Sequence, residues 1–144
     1  MSLLKIAQVT PAVVAPNATV LEAVECMAEH GVGGVAVVEN DELVGIFTER
    51  DVMLRVVLRL CDPKTARVRE VMTAPVETAS EDMPEEDALV YMVERHVRHL
   101  PIVGSDGRLK SILSIRNVLE HRVDELAHEL QSIDQYLSND GPGG

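Results

Sequence analysis

Two stretches of this chain decide its fold: VAVVENDELVGIFTERDVM at residues 35–53 and LPIVGSDGRLKSILSIRNVL at residues 100–119. Laid over one another with one residue of slack in the turn, they place Val37-Val38 on Ile102-Val103, Leu43 on Leu109 and Ile46 on Ile112. Thr48 then falls on Ser114, Arg50 on Arg116 and Asp51 on Asn117. The match extends upstream, where EAVECMAEHGVGG (22–34) lies on DALVYMVERHVRH (87–99), pairing Ala23 with Ala88, Met27 with Met92 and Val32 with Val97. A chain that repeats itself at a period of about 65 residues is built from one structural unit used twice.

The grammar of the unit is helix, strand, strand, helix. Val20, Val24, Met27 and Ala28 recur at helical spacing in the first copy, and Ala88, Met92, Val93 and Val97 in the second. Pro84 before Glu85, Glu86 and Asp87 marks a helix start, with a pre-set φ and acids near the positive end of the dipole. Two β-branched runs follow in each copy, Val35 to Val38 and Leu43 to Phe47 around the polar turn ENDE, then LPIV and LKSIL around GSDG. A second helix opens at Thr48 or Ser114, and a short extended lead, PAVVAP or APVETA, precedes each unit. The fold class expected is therefore α/β of the α+β type, with repeats at 1–66 and 67–122. Residues 123–144 form a C-terminal helix and a breaker-rich tail, SNDGPGG, expected to be disordered.

In the last helix Leu119, Val123, Leu126, Leu130, Ile133 and Leu137 are spaced 4, 3, 4, 3, 4, an a/d heptad seam. Such a seam either packs back on its own domain or meets a partner helix. The regular 3.5 period and the charge on the remaining faces favour the partner.

Composition narrows the function classes. At 144 residues the chain is long enough to bury roughly 70% of its unfolded surface. Its apolar runs fall far short of the roughly 20 residues of a membrane span, and no secretory signal is visible, so a cytoplasmic location with no membrane role is expected. A formal net charge of -11 and three aromatic residues, Phe47, Tyr91 and Tyr136, argue against nucleic acid, which needs cations and stacking platforms. Cys26 and Cys61 lack metal-ligand spacing and read as free thiols that fill the core. No nucleophile elbow, phosphate-binding glycine loop or dinucleotide fingerprint occurs, so an enzyme is not expected. The acidic run SEDMPEED fails the calcium-loop pattern. His121 and His128 lie seven apart on the terminal helix, where a metal would need a third ligand that the sequence does not supply.

The doubled unit, with HLPIV before one hairpin and GIFTERDVM and SILSIRNVL after the two copies, resembles a tandem pair of CBS domains, also called a Bateman module, over residues 7 to 122. The resemblance implies two repeats packed through their sheets about a pseudo-twofold axis. It also implies clefts that bind adenosine ligands: AMP first, with ADP, ATP, NAD(H) and S-adenosylmethionine as the other members of the class.

Thr48 and Asp51 admit two readings. A hydroxyl followed three residues later by an acid at a helix start is a capping box. The same place suits a phosphate, and a carboxylate can take both hydroxyls of a ribose. The resemblance favours the second reading: Thr48 at ribose or phosphate, Asp51 on the ribose diol, and Ala74, Pro75, Val76 and Thr78 around the adenine. Arg98 and His99, just before Pro101 and its strand, would face the phosphates, with Arg116 a further cation. The second cleft would use Ser114, Asn117, the Val13 lead, Gly33, Gly34 and Arg50. There Asn117 replaces the carboxylate and Gly33-Gly34 stand where Arg98-His99 stand in the other copy. A bond to a charged group is worth about 1.5–3 kcal/mol against about 1 for a neutral one, so this second site is expected to be degenerate. The implied function is a nucleotide-binding regulatory module acting as a homodimer on an unknown partner protein. The alternative is a ligand-free interaction dimer that works through the terminal helix.

Overall fold

The computed structural model describes residues 2–7 and 10–139; the tail beyond Asn139, expected to be disordered, lies outside them. In the first repeat β1 (Val13–Val14) is followed by α1 (Val20–His30), β2 (Gly34–Glu39) and β3 (Glu42–Thr48). The second has β4 (Ala79–Ser80), α4 (Glu85–Arg95), β5 (His99–Val103) and β6 (Leu109–Ser114). Each sheet has three strands, the short lead strand parallel to the second and the second antiparallel to the third.

The duplication holds down to the register. Gly34 pairs with Thr48 and Val35 with Phe47; His99 pairs with Ser114 and Leu100 with Leu113. Both hairpins shift register at the same place, after Val37 and after Ile102. The first hairpin turns through Asn40 and Asp41, both at positive φ, residues that tolerate the left-handed conformation of a tight two-residue turn.

Local chemistry sets the helix ends. Thr19 caps α1 by accepting from the Glu22 N–H, and Gly31 at φ 64 closes it, donating to Ala28 and Met27 carbonyls. In α4 the closing position is His96 at φ 56, which bears the steric cost Gly31 avoids. Pro84 stands at the cap position rather than inside α4. The inward face of α1 (Val20, Ala23, Met27) meets Val35, Val37 and Phe47 in one core; Ala88 and Met92 of α4 meet Leu100, Ile102 and Leu113 in the other. Cys26 and Cys61 pack at the margin of the first core as free thiols.

Packing crosses the expected division at 66/67 in both directions. Leu3, in a short 3-10 turn (Leu3–Lys5), and Ala7 just after it lodge in the second core. Val68 and Val71, from the four-residue α3 (Val68–Val71), lodge in the first. Neither element carries a periodic signal long enough to read in sequence.

The helices after the two hairpins differ. In the first repeat α2 is three residues, Glu49–Asp51, and continues as a π-helical stretch, Val52–Val57. In the second, α5 runs unbroken over Ile115–Asn139. The seam of α5 does not fold back on its own domain: Leu119, Val123, Leu126, Leu130, Ile133 and Leu137 are 53% to 64% exposed. Among the described residues no helix is long and apolar enough to cross a membrane.

Candidate functional site

The helix start at Thr48 is a complete capping box. Asp51 is 6% exposed. Its Oδ2 accepts from the Thr48 N–H at 3.1 Å and the Thr48 hydroxyl at 3.3 Å, while Thr48 Oγ1 accepts from the Asp51 N–H at 3.4 Å. Its Oδ1 accepts from the Thr73 hydroxyl at 2.9 Å and faces Arg55 Nε at 3.7 Å. An ionised carboxylate has about four acceptor sites, so the one left over lies on the Oδ1 edge, toward the Arg55 side.

Thr73 ties two distant segments together. Its backbone exchanges two hydrogen bonds with Ile46 of β3, at 3.0 and 2.8 Å. The approach is close because Gly45 has no Cβ, which would meet Met72 and the Thr73 carbonyl. The Thr73–Ile46 pairing sets the lead of the second repeat beside the cap of the first. Ala74 (joined to Pro75 by a cis peptide), Pro75 and Thr78 are exposed there, Val76 is half-buried, and Pro101 is buried within β5. Sequence reasoning missed Thr73 and Arg55. The i, i+4 spacing of Arg55 from Asp51 was the available signal for one, while Thr73 carried none.

The second cap has the same geometry with a neutral acceptor. Asn117 Oδ1 takes the Ser114 N–H at 3.1 Å and the Ser114 hydroxyl at 2.7 Å, and Ser114 Oγ takes the Asn117 N–H at 3.1 Å. The two poles also share a backbone bond, Glu49 N–H to the Gly33 carbonyl and Ile115 N–H to the Arg98 carbonyl. These equivalences place Gly33-Gly34 opposite Arg98-His99, as the sequence alignment has them.

The glycine pair has a packing role as well. A Cβ on Gly34 would stand 3.1 Å from His99 Cγ and 3.3 Å from the Thr48 methyl, so the glycine makes room for the imidazole against the first cap. A Cβ on Gly33 would strike Glu49, with His99 next to it. Burial pushes the His99 imidazole below the ordinary histidine range; Glu49 pulls it partly back and Arg98 adds to the lowering.

A cleft of about 920 Å³ opens between the repeats. Gly33, Glu49, Arg98, His99, Ser114, Arg116 and Asn117 contribute its polar wall, and Met27, Val32, Val52, Met53 and Val57 are among its apolar lining. Thr48, Asp51, the 74–78 lead and Pro101 do not line it. The sequence-derived site residues thus divide: the carboxylate cap and the lead segment are joined by Thr73, while Arg98, His99 and Arg116 share a cleft with the neutral cap. Arg116 is 80% exposed and bonds Glu120 at 2.9 Å, a pair on the surface of its own helix. Arg50 is exposed at the start of α2, and Val13 stands in the lead strand of the other pole.

Comparison with known proteins gives this architecture a family. The family model described as CBS domain matches twice, at residues 6–58 and 68–124. An uncharacterized protein of Methanopyrus kandleri is 40% identical over 106 residues; these cover 73% of this chain and 54% of that one, so the chain spans about half of that relative's length. A CBS-domain structure from Burkholderia ambifaria superposes with a TM-score of 0.80 at 32% identity, covering 86% of this chain and 95% of that one. The CBS-pair protein CBSX2 of Arabidopsis thaliana, solved in complex with AMP, superposes at 0.71 with 25% identity, covering 85% and 96%. With both repeats matched over most of the sequence, the chain belongs to the CBS-domain family as a tandem pair.

Proposed function

We propose that this CBS pair is an adenine-nucleotide-binding regulatory module that binds one nucleotide, AMP foremost, at the Thr48–Asp51 pole. It works as a cytoplasmic homodimer on a partner protein. The observation that carries the reading is the Thr73 hydroxyl on Asp51 Oδ1: it brings the acid that would read a ribose diol next to the 74–78 segment that would bracket an adenine. The AMP complex of a similar CBS pair supports the ligand class. His99 approaches from the second repeat, packed against Gly34 beside Thr48, while Arg98 lines the neighbouring cleft between the repeats. The ribose would compete with Thr73 for Oδ1, so nucleotide binding and the inter-repeat tie share one acceptor and ligand occupancy would loosen or reset that tie. At the other pole Asn117 offers no charge, and that site is proposed to be degenerate.

Calorimetric titration of the wild type and Asp51→Ala with AMP, ATP, NADH and S-adenosylmethionine tests this. One ligand per chain, weakened roughly ten- to hundredfold in the variant, is the expected result. If none binds after bound nucleotide has been stripped, the reading fails.

A second reading, a ligand-free interaction dimer, draws on the exposed seam of α5. It expects no nucleotide binding and a particle whose mass halves when residues 124–144 are removed.

A further inference from the structure

The terminal helix carries a second candidate site, away from the nucleotide poles and independent of that reading. His121 and Glu125 stand i, i+4 on α5, and Glu85 opens α4 opposite them. His121 Nδ1 lies 3.0 Å from Glu85 Oε1 and 2.9 Å from Glu125 Oε1, and among the described residues these three ligating atoms fall within 4.8 Å of one another. The third ligand that sequence spacing did not supply comes from the other helix, and it is Glu125 rather than His128 that joins His121.

Two features point to a cation at the centre of the three. A ring nitrogen carries at most one hydrogen and so serves one carboxylate well, yet Nδ1 faces two at equal range. A tetrahedral metal with bonds of about 2.1 Å holds neighbouring ligand atoms about 3.4 Å apart, so the two carboxylate oxygens need to draw back from Nδ1 by only about half an ångström to admit an ion between them. Glu85 and Glu86 share one guanidinium, Arg122, which lies 3.5 Å from each, and Glu125 adds a further carboxylate on the His121 side. The His121 and Glu85 side chains are only 20% and 16% exposed, while Glu125, at 44%, leaves the site open to solvent on one side.

We propose that Glu85, His121 and Glu125 bind one divalent transition-metal ion, with Zn2+ the ion best suited to one imidazole and two carboxylates. Bound there, it would pin α4 to α5 and set the direction in which the heptad seam leaves the second repeat.

The test uses the full chain, stripped with a chelator and titrated with Zn2+ against a chromophoric indicator, with thermal melting of the same samples. The expected result is one Zn2+ per chain and a raised Tm. Affinity should fall by more than the roughly ten- to hundredfold that even an outer-shell partner costs, both in His121→Ala and in the conservative surface change Glu125→Gln, and should persist in His128→Ala and Cys26→Ser. Circular dichroism of Glu125→Gln keeps loss of fold from passing as loss of ligand. Absence of Zn2+ binding in the wild type, or wild-type binding in folded Glu125→Gln, overturns the proposal.

Discussion

Two substitutions at Asp51 separate capping from ligand recognition. Asp51→Asn retains one oxygen for the Thr48 N–H and hydroxyl, the arrangement Asn117 already makes with Ser114. It replaces the Oδ1 acceptor by an amide donor, and the Thr73 hydroxyl can rotate to accept from it. The expected cost is about 1 kcal/mol, or about 2–4 °C in Tm for a chain of this size. Asp51→Ala removes all three accepted bonds and leaves the Thr48 N–H enclosed without its acceptor, which costs about 1–3 kcal/mol by itself. Losing the Thr73 tie as well brings the expected total to about 2–4 kcal/mol. Arg55 adds little, since it stands at 3.7 Å with its side chain 38% exposed. Nucleotide binding should order differently. A ribose diol needs two acceptors, so Asn and Ala should both weaken AMP by about 1.5–3 kcal/mol, although only Ala strongly destabilises the fold. Urea denaturation measures the first quantity and calorimetry the second. Asp51→Asn binding AMP as tightly as the wild type would refute the role of the carboxylate and return Asp51 to a cap.

Gly34→Ala forces the His99 ring to move, at about 1–3 kcal/mol; in a double-mutant cycle with His99→Ala the two costs should fail to add, and additive values would show that the ring does not rest on the glycine. Because burial holds His99 below its ordinary value, the unfolded chain takes up the proton first as pH falls below about 6.5. The stability contributed by the neutral ring is therefore present above that value and lost on acidification, at up to about 1.4 kcal/mol per pH unit. His99→Gln should flatten that slope in denaturation curves at pH 5 to 7, and an unchanged slope would assign it elsewhere. Removing residues 124–144 should lower the mass measured by light scattering from that of two chains to that of one if the proposed homodimer is held by the α5 seam; a two-chain mass that survives the truncation would place the contact elsewhere.

The fold was legible because the same pattern occurs twice, and each copy checks the other. Helical spacing in α1 and alternating apolar strands set both cores, and the alignment of Thr48 with Ser114 predicted a register that recurs as Gly34–Thr48 and His99–Ser114. What the repeat could not show is what the repeats do not share. The π-helical turn at Val52–Val57 has an apolar pattern that reads as an ordinary helix. The exchange of Leu3 and Val68 between cores is a matter of chain crossing, which periodicity does not record.

At the site the same limit appears as a question of partners. Sequence named both members of each cap, because capping is local and its spacing is written in the chain. It did not name Thr73, whose contact with Asp51 spans 22 positions, or Glu49, which stands beside His99 as an acid on a wall expected to attract phosphate. Both change what the cap can do. Asp51 does not wait as an open carboxylate, since a ligand must take its place among acceptors already in use. Gly33-Gly34, read from sequence as a loss in one cleft, provide the space that lets His99 stand against the other. A duplicated domain can diverge in this way: a deletion of side chains at one pole becomes the seat for a side chain at its partner, so the two poles are one structure with unequal chemistry.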